Sequence, residues 1–417
     1  MNALLRKHAD FIIKKAIQAV KPDAAVRTAL AGKCFSGKTV LVAAGKAAWA
    51  MAKAAHDALS ETIDSGVVIT KYGHAMGEIA NLKIFEAGHP VPDENSFLAA
   101  QAAIDLVSDL SENDTVLFLL SGGGSALFEK PLVSGEILQD ITRQLLASGA
   151  NITEINTIRK RLSKVKGGRF AEICMPAKMF SIVLSDIIGD PLDMIASGPA
   201  YPDASTSEDA IRISKKYNLD MPDEAWNLLE IETPKTLDNI ETHITGSVRA
   251  LCRAAESACI SLGYETVVLT DEMACEAKEA GSFLASIAKT HAGKNKNLAF
   301  IAGGETVVHV TGKGKGGRNQ ELALSAAEGL SGLENAAIFS VGSDGTDGPT
   351  DAAGGYADGY SLAALKKMGF APYEVLKNND AYTALASIGG LIVTGPTGTN
   401  VNDVSVALIW ADERITN

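Results

Sequence analysis

Cysteine is scarce in this chain and poorly spaced for pairing or metal ligation. The five present, Cys34, Cys174, Cys252, Cys259 and Cys275, form an odd set with no C-x-x-C pair. That excludes a disulfide framework and a structural zinc site and points to a reducing, cytoplasmic compartment. Proline is sparse as well, 13 residues against 39 glycines, a ratio that suits an α/β protein with many tight strand-to-helix turns. No fixed-period repeat or low-complexity tract is visible. Long apolar runs are missing too. Residues 2–20 place Leu4, Leu5, Phe11, Ile12 and Ile17 on a helical period but interrupt them with Arg6, Lys7, His8, Asp10, Lys14 and Lys15. No signal-peptide core or membrane span tolerates that pattern, and it reads as an amphipathic surface helix. Basic residues are outnumbered, 38 Lys and Arg against 50 Asp and Glu, for a net charge of −12. Such a field repels nucleic acid and anionic membrane.

What the chain does contain is α/β material. Its 417 residues suffice for two or three domains. Flat apolar, β-branched runs at Thr39–Ala44, Val67–Thr70, Thr115–Leu120 and Phe180–Leu184 are bounded by Gly or Asp and separated by helical stretches, the signature of strands buried on both faces of a parallel sheet. A polar, proline-punctuated segment follows over Tyr201–Ile240 and reads as cover and linker. A second series then runs through Thr242–Thr245, Thr266–Thr270, Leu298–Ala302, Thr306–Thr311, Ala337–Val341, Leu391–Thr394 and Val404–Trp410. The expectation is two α/β domains, residues 1–236 and 237–417, with largely parallel central sheets and ligands at the strand ends in an interdomain cleft.

Two phosphate fingerprints compete for attention. Gly32–Thr39 matches G-x-x-x-x-G-K-[ST], but a helix-like stretch precedes it and a strand follows, the reverse of a phosphate loop, so the match reads as coincidence. Gly312–Gly317 matches G-x-G-x-x-G between the expected strand Thr306–Thr311 and a helix-like run, Asn319–Leu330. A dinucleotide site also wants an acidic residue about 20 positions on; past the next strand the nearest candidate is Asp344, inside another Gly-rich turn, and Lys313, Lys315 and Arg318 crowd the loop. That suits a polyphosphate better than a dinucleotide; a solvated basic hairpin tip is the plain alternative.

Other turns carry chemistry. Lys46, in Gly45-Lys46-Ala47-Ala48-Trp49, opens a helix, where a cation is unfavourable unless an anion is bound. Ser121-Gly122-Gly123-Gly124-Ser125 closes an apolar strand and offers amides and hydroxyls as an anion nest. Lys166, within Lys164–Arg169, reads equally as a phosphate ligand or as part of a helix C-cap. Carboxylates gather after strands at Asp186, Asp190 and Asp193 and again at Asp344, Asp347 and Asp351. Such turns fit a magnesium–phosphate centre, a general base, or simply the turn preference of Asp. Gly303-Gly304-Glu305 and the segment containing Asn400 end two further strands with polar hooks. The G-x-S-x-G elbow of acyl transfer is missing, as are H-x-x-x-H and Ser/His/Asp groupings, so the seven histidines, His74, His89 and His309 among them, read as structural.

Taken in order, Gly45-Lys46-Ala47-Ala48-Trp49, Thr70–His74, Gly88-His89-Pro90-Val91-Pro92-Asp93, Ser121–Ser125, Lys166–Arg169, Ser197-Gly198-Pro199, Gly317-Arg318-Asn319-Gln320-Glu321 and Thr346–Asp351 resemble the class II glycerate kinase family over nearly the whole chain. The resemblance implies a Rossmann-like N-terminal domain and a C-terminal MOFRL-type domain. It also implies phosphorylation of D-glycerate by ATP at the 2-hydroxyl, with Mg2+. By the same resemblance Lys46 and Arg318 are catalytic. Asp186 joins them as a candidate, and it and Asp190 are the metal candidates. Ser121, Gly122, Gly123, Gly124, Ser125, Lys166, Gly303, Gly304, Glu305 and Gly317 are expected on ATP or phosphate. Asp190, Asp344, Asp347 and Asn400 are expected on substrate or metal. The implied partners are small molecules, with no nucleic acid or membrane and with a homodimer as the assembly to look for. The rival readings are an NAD(P)-dependent hydroxypyruvate reductase and a non-catalytic sensor of phosphorylated hydroxy acids.

Overall fold

The computed structural model describes residues 1–59 and 62–411, in two compact units. One comprises residues 25–185 and 190–245; the other comprises 1–24, 186–189 and 246–417. This division departs from a single cut between 236 and 237 at residues 1–24, 186–189 and 237–245. The opening helix belongs with the C-terminal residues, and the strand expected to start the second domain joins the first sheet.

The 25–245 unit is built on six strands: β1 Thr39–Ala44, β2 Ile63–Lys71, β3 Leu82–Ala87, β4 Thr115–Leu120, β5 Lys178–Leu184 and β6 Ile240–Gly246. Their spatial order is β3-β2-β1-β4-β5-β6, and β1 through β5 pair in parallel. Every residue of β1 and β4 is buried, which is why these strands appear as flat apolar runs in sequence. One face packs Leu41, Ala43, Leu117, Leu119 and Ile182 beneath the helix Ala48–Leu59. Opposite β4, Phe118, Phe128 and Phe170 form an aromatic cluster with ring centroids 4.9–5.9 Å apart, a spacing that favours tilted and edge-on pairs. The helix Glu94–Val107 begins at a capping box made by Asp93 and Ser96. β3 escaped the sequence reading because its residues are only partly buried and alternate weakly.

The other unit holds β7 Glu265–Met273, β8 Leu298–Gly304, β9 Ala336–Gly342, β10 Gly354–Asp358, β11 Leu391–Ile392 and β12 Asp403–Ile409, in the order β11-β10-β9-β12-β8-β7. The expectation of largely parallel sheets does not extend to it. β7 and β8 are parallel, but β12 runs antiparallel to both β8 and β9, and β10 antiparallel to β9 and β11. Burial of both faces, supplied by helices, makes antiparallel strands as uniformly apolar as parallel ones, so periodicity could not tell them apart. Thr306–Thr311 is not a strand. Among the described residues it pairs only through a single bridge from Val307 to Glu276, and without a neighbouring strand Val307 and Val310 are exposed while Thr306 and Val308 pack inward.

The helix Ala3–Ala19 is capped by Asn2, whose side chain accepts from the Leu4 and Leu5 amides. It is amphipathic, as expected, but it does not lie on an open surface. Leu5, Ala9, Ile12, Ile13, Ala16 and Ile17 are buried in one cluster with Leu251, Ala255, Phe339 and Val406. Replacing Ile12, fully buried, by Ala should therefore cost about 2–5 kcal/mol in denaturant-induced unfolding. A cost within ~0.5 kcal/mol is what a surface helix would give, and it would contradict this packing.

Candidate active site

In the 25–245 unit the strand order reverses between β1 and β4, the place where open α/β sheets receive ligands at their carboxyl ends. Both adjoining turns are sequence-predicted site segments. Gly45 has φ +128°, and a side chain there would collide with the Oγ and carbonyl of Ser121. Only glycine allows the two turns to close on each other. They are then stitched together: the Lys46 amide donates to the Gly122 carbonyl at 2.9 Å, and the Ala47 amide to Ser121 Oγ at 3.1 Å. The Thr70 hydroxyl donates to the Lys46 carbonyl at 3.3 Å. Fixed in backbone, Lys46 leaves its exposed ammonium without a hydrogen bond or ion pair among the described residues, and the Gly122 and Gly123 amides are likewise unpaired. An unpaired cation beside free amides at a helix start is a receptive anion site.

Farther along, Ser125 Oγ bonds Ser197 Oγ at 3.1 Å, and Ser197 Oγ donates to Asn156 Oδ1 at 3.2 Å. Lys166 does not reach a ligand-facing position. Its ammonium is completely buried and spent on the Ser125 carbonyl (2.8 Å), the Phe128 carbonyl (3.1 Å) and Glu129 Oε2 (3.3 Å). Burial pushes it down to about 8 against the pull of Glu129. It holds the glycine-rich turn from behind, helped by Arg159, which donates to the same Ser125 carbonyl at 3.0 Å. Arg169 caps the preceding helix by donating to the carbonyls of Lys160, Arg161 and Ser163, so the C-cap reading applies to that basic turn. Asp190, at φ +51°, has Oδ1 buried without a hydrogen-bond partner. Asp186 is half-buried and falls with the other unit. No group of three or more His, Cys, Asp or Glu gathers as a metal site among the described residues.

The C-terminal residues form their own cavity of about 630 Å³, lined by Glu305, Gly317, Arg318, Asp344 and Asp347 with Ile188 and Val307, Val308 and Val310 as apolar walls. Arg318 opens the helix Arg318–Leu330. Its Nε and Nη2 donate to the two carboxylate oxygens of Asp403 (2.5 and 3.1 Å), and Nη1 donates to Glu305 at 2.7 Å. Burial would lower the guanidinium, but the hydrogen bond and charge of Asp403, with Glu305 and Asp347 behind, hold it above the usual range. These bonds use three of five N–H donors. Asp347 is not aimed at a ligand. It is buried and accepts from the Asn319 and Gln320 amides at 3.1 and 2.8 Å, capping the same helix, and burial pushes it up to about 6 even so. Asp344 accepts from the Thr346 amide at 2.9 Å and keeps a half-exposed place in the cavity. Gly303 and Gly304 end β8 as packing glycines, pressed against Cys252 and Met273. Asn400 is exposed and accepts from the Asn402 amide. Asp403, the partner that orients Arg318, was not singled out in sequence. A carboxylate at the first residue of an apolar strand was the available signal.

The dinucleotide fingerprint dissolves at this point. Besides lacking a preceding strand, its first four amides are already satisfied: Gly312 donates to Asn379 Oδ1 (2.9 Å), as does the Thr311 amide before it (2.8 Å), Lys313 to Asn378 Oδ1, Gly314 to the Asn378 carbonyl and Lys315 to Asp380 Oδ1. Gly312 and Gly314 lie against the Asn378–Asp380 backbone, so their lack of a side chain serves that approach and not a pyrophosphate. The Gly32–Thr39 match likewise sits between the helix Pro22–Leu30 and β1, the wrong order for a phosphate loop.

A doubly wound sheet with a cation at its reversal point places the chain among α/β proteins whose ligand positions lie at the strand ends. A family model described as a domain of unknown function, DUF4147, matches residues 8–230, and the MOFRL family model matches residues 298–403. The chain is 55% identical to a D-glycerate 2-kinase of Thermotoga maritima over 97% of its own length and 98% of that protein's. It is 41% identical to a glycerate 2-kinase of Pyrococcus horikoshii over 95% and 96%. A crystal structure of a Thermotoga maritima glycerate kinase matches with a TM-score of 0.92 at 54% identity, covering 97% of this chain and 99% of that one. The chain belongs to the glycerate kinase family with a C-terminal MOFRL domain. No helix among the described residues is long and apolar enough to cross a membrane.

The buried Lys166–Glu129 pair yields a test. Lys166→Met should leave the buried Glu129 carboxylate with only Ser163 and the more distant Arg159 and cost about 3–5 kcal/mol in chemical denaturation, whereas adding Glu129→Gln, which removes the charge and keeps an acceptor for Ser163, should return part of it. A single variant as stable as wild type would show that Lys166 does not hold this turn.

Proposed function

We propose that this chain transfers the γ-phosphoryl group of ATP to the 2-hydroxyl of D-glycerate, giving 2-phosphoglycerate and ADP. The observation that carries the reading is the unpaired Lys46 ammonium beside the free Gly122 and Gly123 amides where the strand order reverses. The activities of the relatives, D-glycerate 2-kinase and glycerate 2-kinase, support the substrate and the position. Phosphoryl transfer asks a protein mainly to position reactants and neutralise charge spread over the moving group. Lys46 supplies a mobile point charge. Arg318 keeps two N–H donors beyond those taken by Asp403 and Glu305, on a guanidinium those carboxylates hold in one orientation. Asp186 is the proposed acceptor of the hydroxyl proton. Mg2+ would be held by Asp190, whose buried, unpartnered Oδ1 fits a hard cation that takes its remaining oxygens from phosphates and water. The ion supplies neutralisation of phosphate charge. The reductase reading has no support in the Gly312–Gly317 loop, where no strand precedes and the amides of residues 312–315 are spent on Asn378, Asn379 and Asp380.

Phosphorus NMR of ATP incubated with D-glycerate and the protein should show ADP and 2-phosphoglycerate. A 3-phosphoglycerate signal would refute the position, and no ADP above background would refute the kinase. Lys46→Ala and Arg318→Ala should each lower kcat by roughly a hundredfold or more, the scale of a lost charge-stabilising donor, with smaller changes in the KM of ATP. Arg318→Lys should recover little, because an ammonium cannot bridge both oxygens of Asp403 and still face a phosphate. Lys38→Ala, in the coincidental phosphate-loop match, should retain near wild-type turnover.

A further inference from the structure

His89 reads as structural in sequence, yet the fold brings it to the Ser121–Ser125 turn. A Cβ placed on Gly123 would stand 3.0 Å from His89 Cδ2, 3.2 Å from its Nε2 and 3.1 Å from Lys46 Cγ. Imidazole and lysine stem therefore flank Gly123 from the one direction that its missing side chain leaves open. Neither ring nitrogen of His89 has a hydrogen-bond partner among the described residues, although the ring is only partly exposed. Histidines half removed from water normally secure one nitrogen. His74, on the next turn, does so through the Lys46 carbonyl at 3.2 Å. Burial holds the His89 ring below its ordinary value, and the charges that act on it, from Lys46, Lys71 and His74, are all of one sign and push the same way. Asp93, four residues on, is occupied by Tyr72, Ser96 and the Gly88 amide.

The single N–H of a neutral imidazole, an unpaired ammonium and two unpaired amides gather at one glycine, donors that no protein oxygen meets among the described residues. We infer that His89 donates a hydrogen bond to an anionic oxygen of a reactant seated on the Gly122–Gly123 turn beside Lys46, either the glycerate carboxylate or a nucleotide phosphate. The inference rests on the kinase reading for the identity of the reactants but not for the existence of the site. It gives Gly123 a second reason to be glycine, because any side chain would fill the space between the two donors.

Calorimetric titration of D-glycerate and of ATP, separately, into wild type, His89→Leu and His89→Gln tests this, with circular dichroism confirming that all three are folded. The Leu variant should bind one of the two ligands roughly tenfold or more weaker, the scale of one hydrogen bond to a charged group. The Gln variant, which keeps an amide donor, should recover most of the loss. The ligand affected distinguishes carboxylate from phosphate. Binding of both ligands to His89→Leu within about twofold of wild type overturns the inference, as does a Gln variant as weak as Leu, which would mark a packing role. A wild-type protein that binds both ligands without forming ADP would sink the kinase reading alone, and the binding comparison would still decide the role of His89.

Discussion

Everything at the reversal point depends on one close approach, that of Gly45 to Ser121. β1 and β4 run parallel and in register, Ala44 opposite Leu120, so the next residues, Gly45 and Ser121, must leave the sheet side by side. There is room for only one side chain between them. Glycine yields that room to Ser121, whose Oγ then receives the Ala47 amide and whose following glycine receives the Lys46 amide. Those two bonds absorb backbone donors of one turn using acceptors of the other. The donors left over belong to Gly122 and Gly123, and the charge left over is Lys46. The turn is thus left with unmatched donors by subtraction, as local acceptors run out before local donors do, an arrangement that favours an anion.

The C-terminal unit uses its charges differently. Arg318 is held by two carboxylates, and the basic glycine loop before it is bound to Asn378, Asn379 and Asp380 through its backbone. A guanidinium tied on one edge gives up electrostatic strength but loses little rotamer freedom when a ligand arrives, because its plane is already set. Lys46 has the opposite economy, a full unpaired charge on a flexible stem. The two units thus hold their cations differently, one guanidinium fixed in orientation by carboxylates and one ammonium free to move on its stem.

Much of this was legible beforehand. β1, β4, β5, β8, β9 and β12 were visible as buried apolar runs, and the turns carrying Lys46, Ser121–Ser125 and Arg318 were identified by residue type, because a cation or a glycine cluster after a strand is unusual on local grounds alone. What stayed hidden depended on distant partners. Thr306–Thr311 has strand composition but no neighbour to pair with, and strand formation is a property of two segments. Lys166 and Lys46 look alike in sequence, each a lysine beside glycine. Only the Glu129 carboxylate and the Ser125 and Phe128 carbonyls, 37 to 41 positions away, turn the first into a buried brace.

That contrast between two lysines also explains why the glycine-rich turn can be left open. Three consecutive glycines would ordinarily make Ser121–Ser125 the most mobile part of the unit, since each glycine loses more backbone freedom on ordering than any other residue. Here the ordering is enforced from the interior. Lys166 and Arg159 both fasten the Ser125 carbonyl, Ser197 fastens its hydroxyl, and Lys46 fastens Gly122 from the neighbouring turn. A buried ammonium is expensive, and its depressed proton affinity records that cost. The return is that the amides facing outward are held in place before any anion arrives, so little of the binding energy goes into organising the turn. The burial of Lys166 and the exposure of Lys46 are two halves of one arrangement, in which a cation hidden behind the turn lets the turn in front do without protein acceptors.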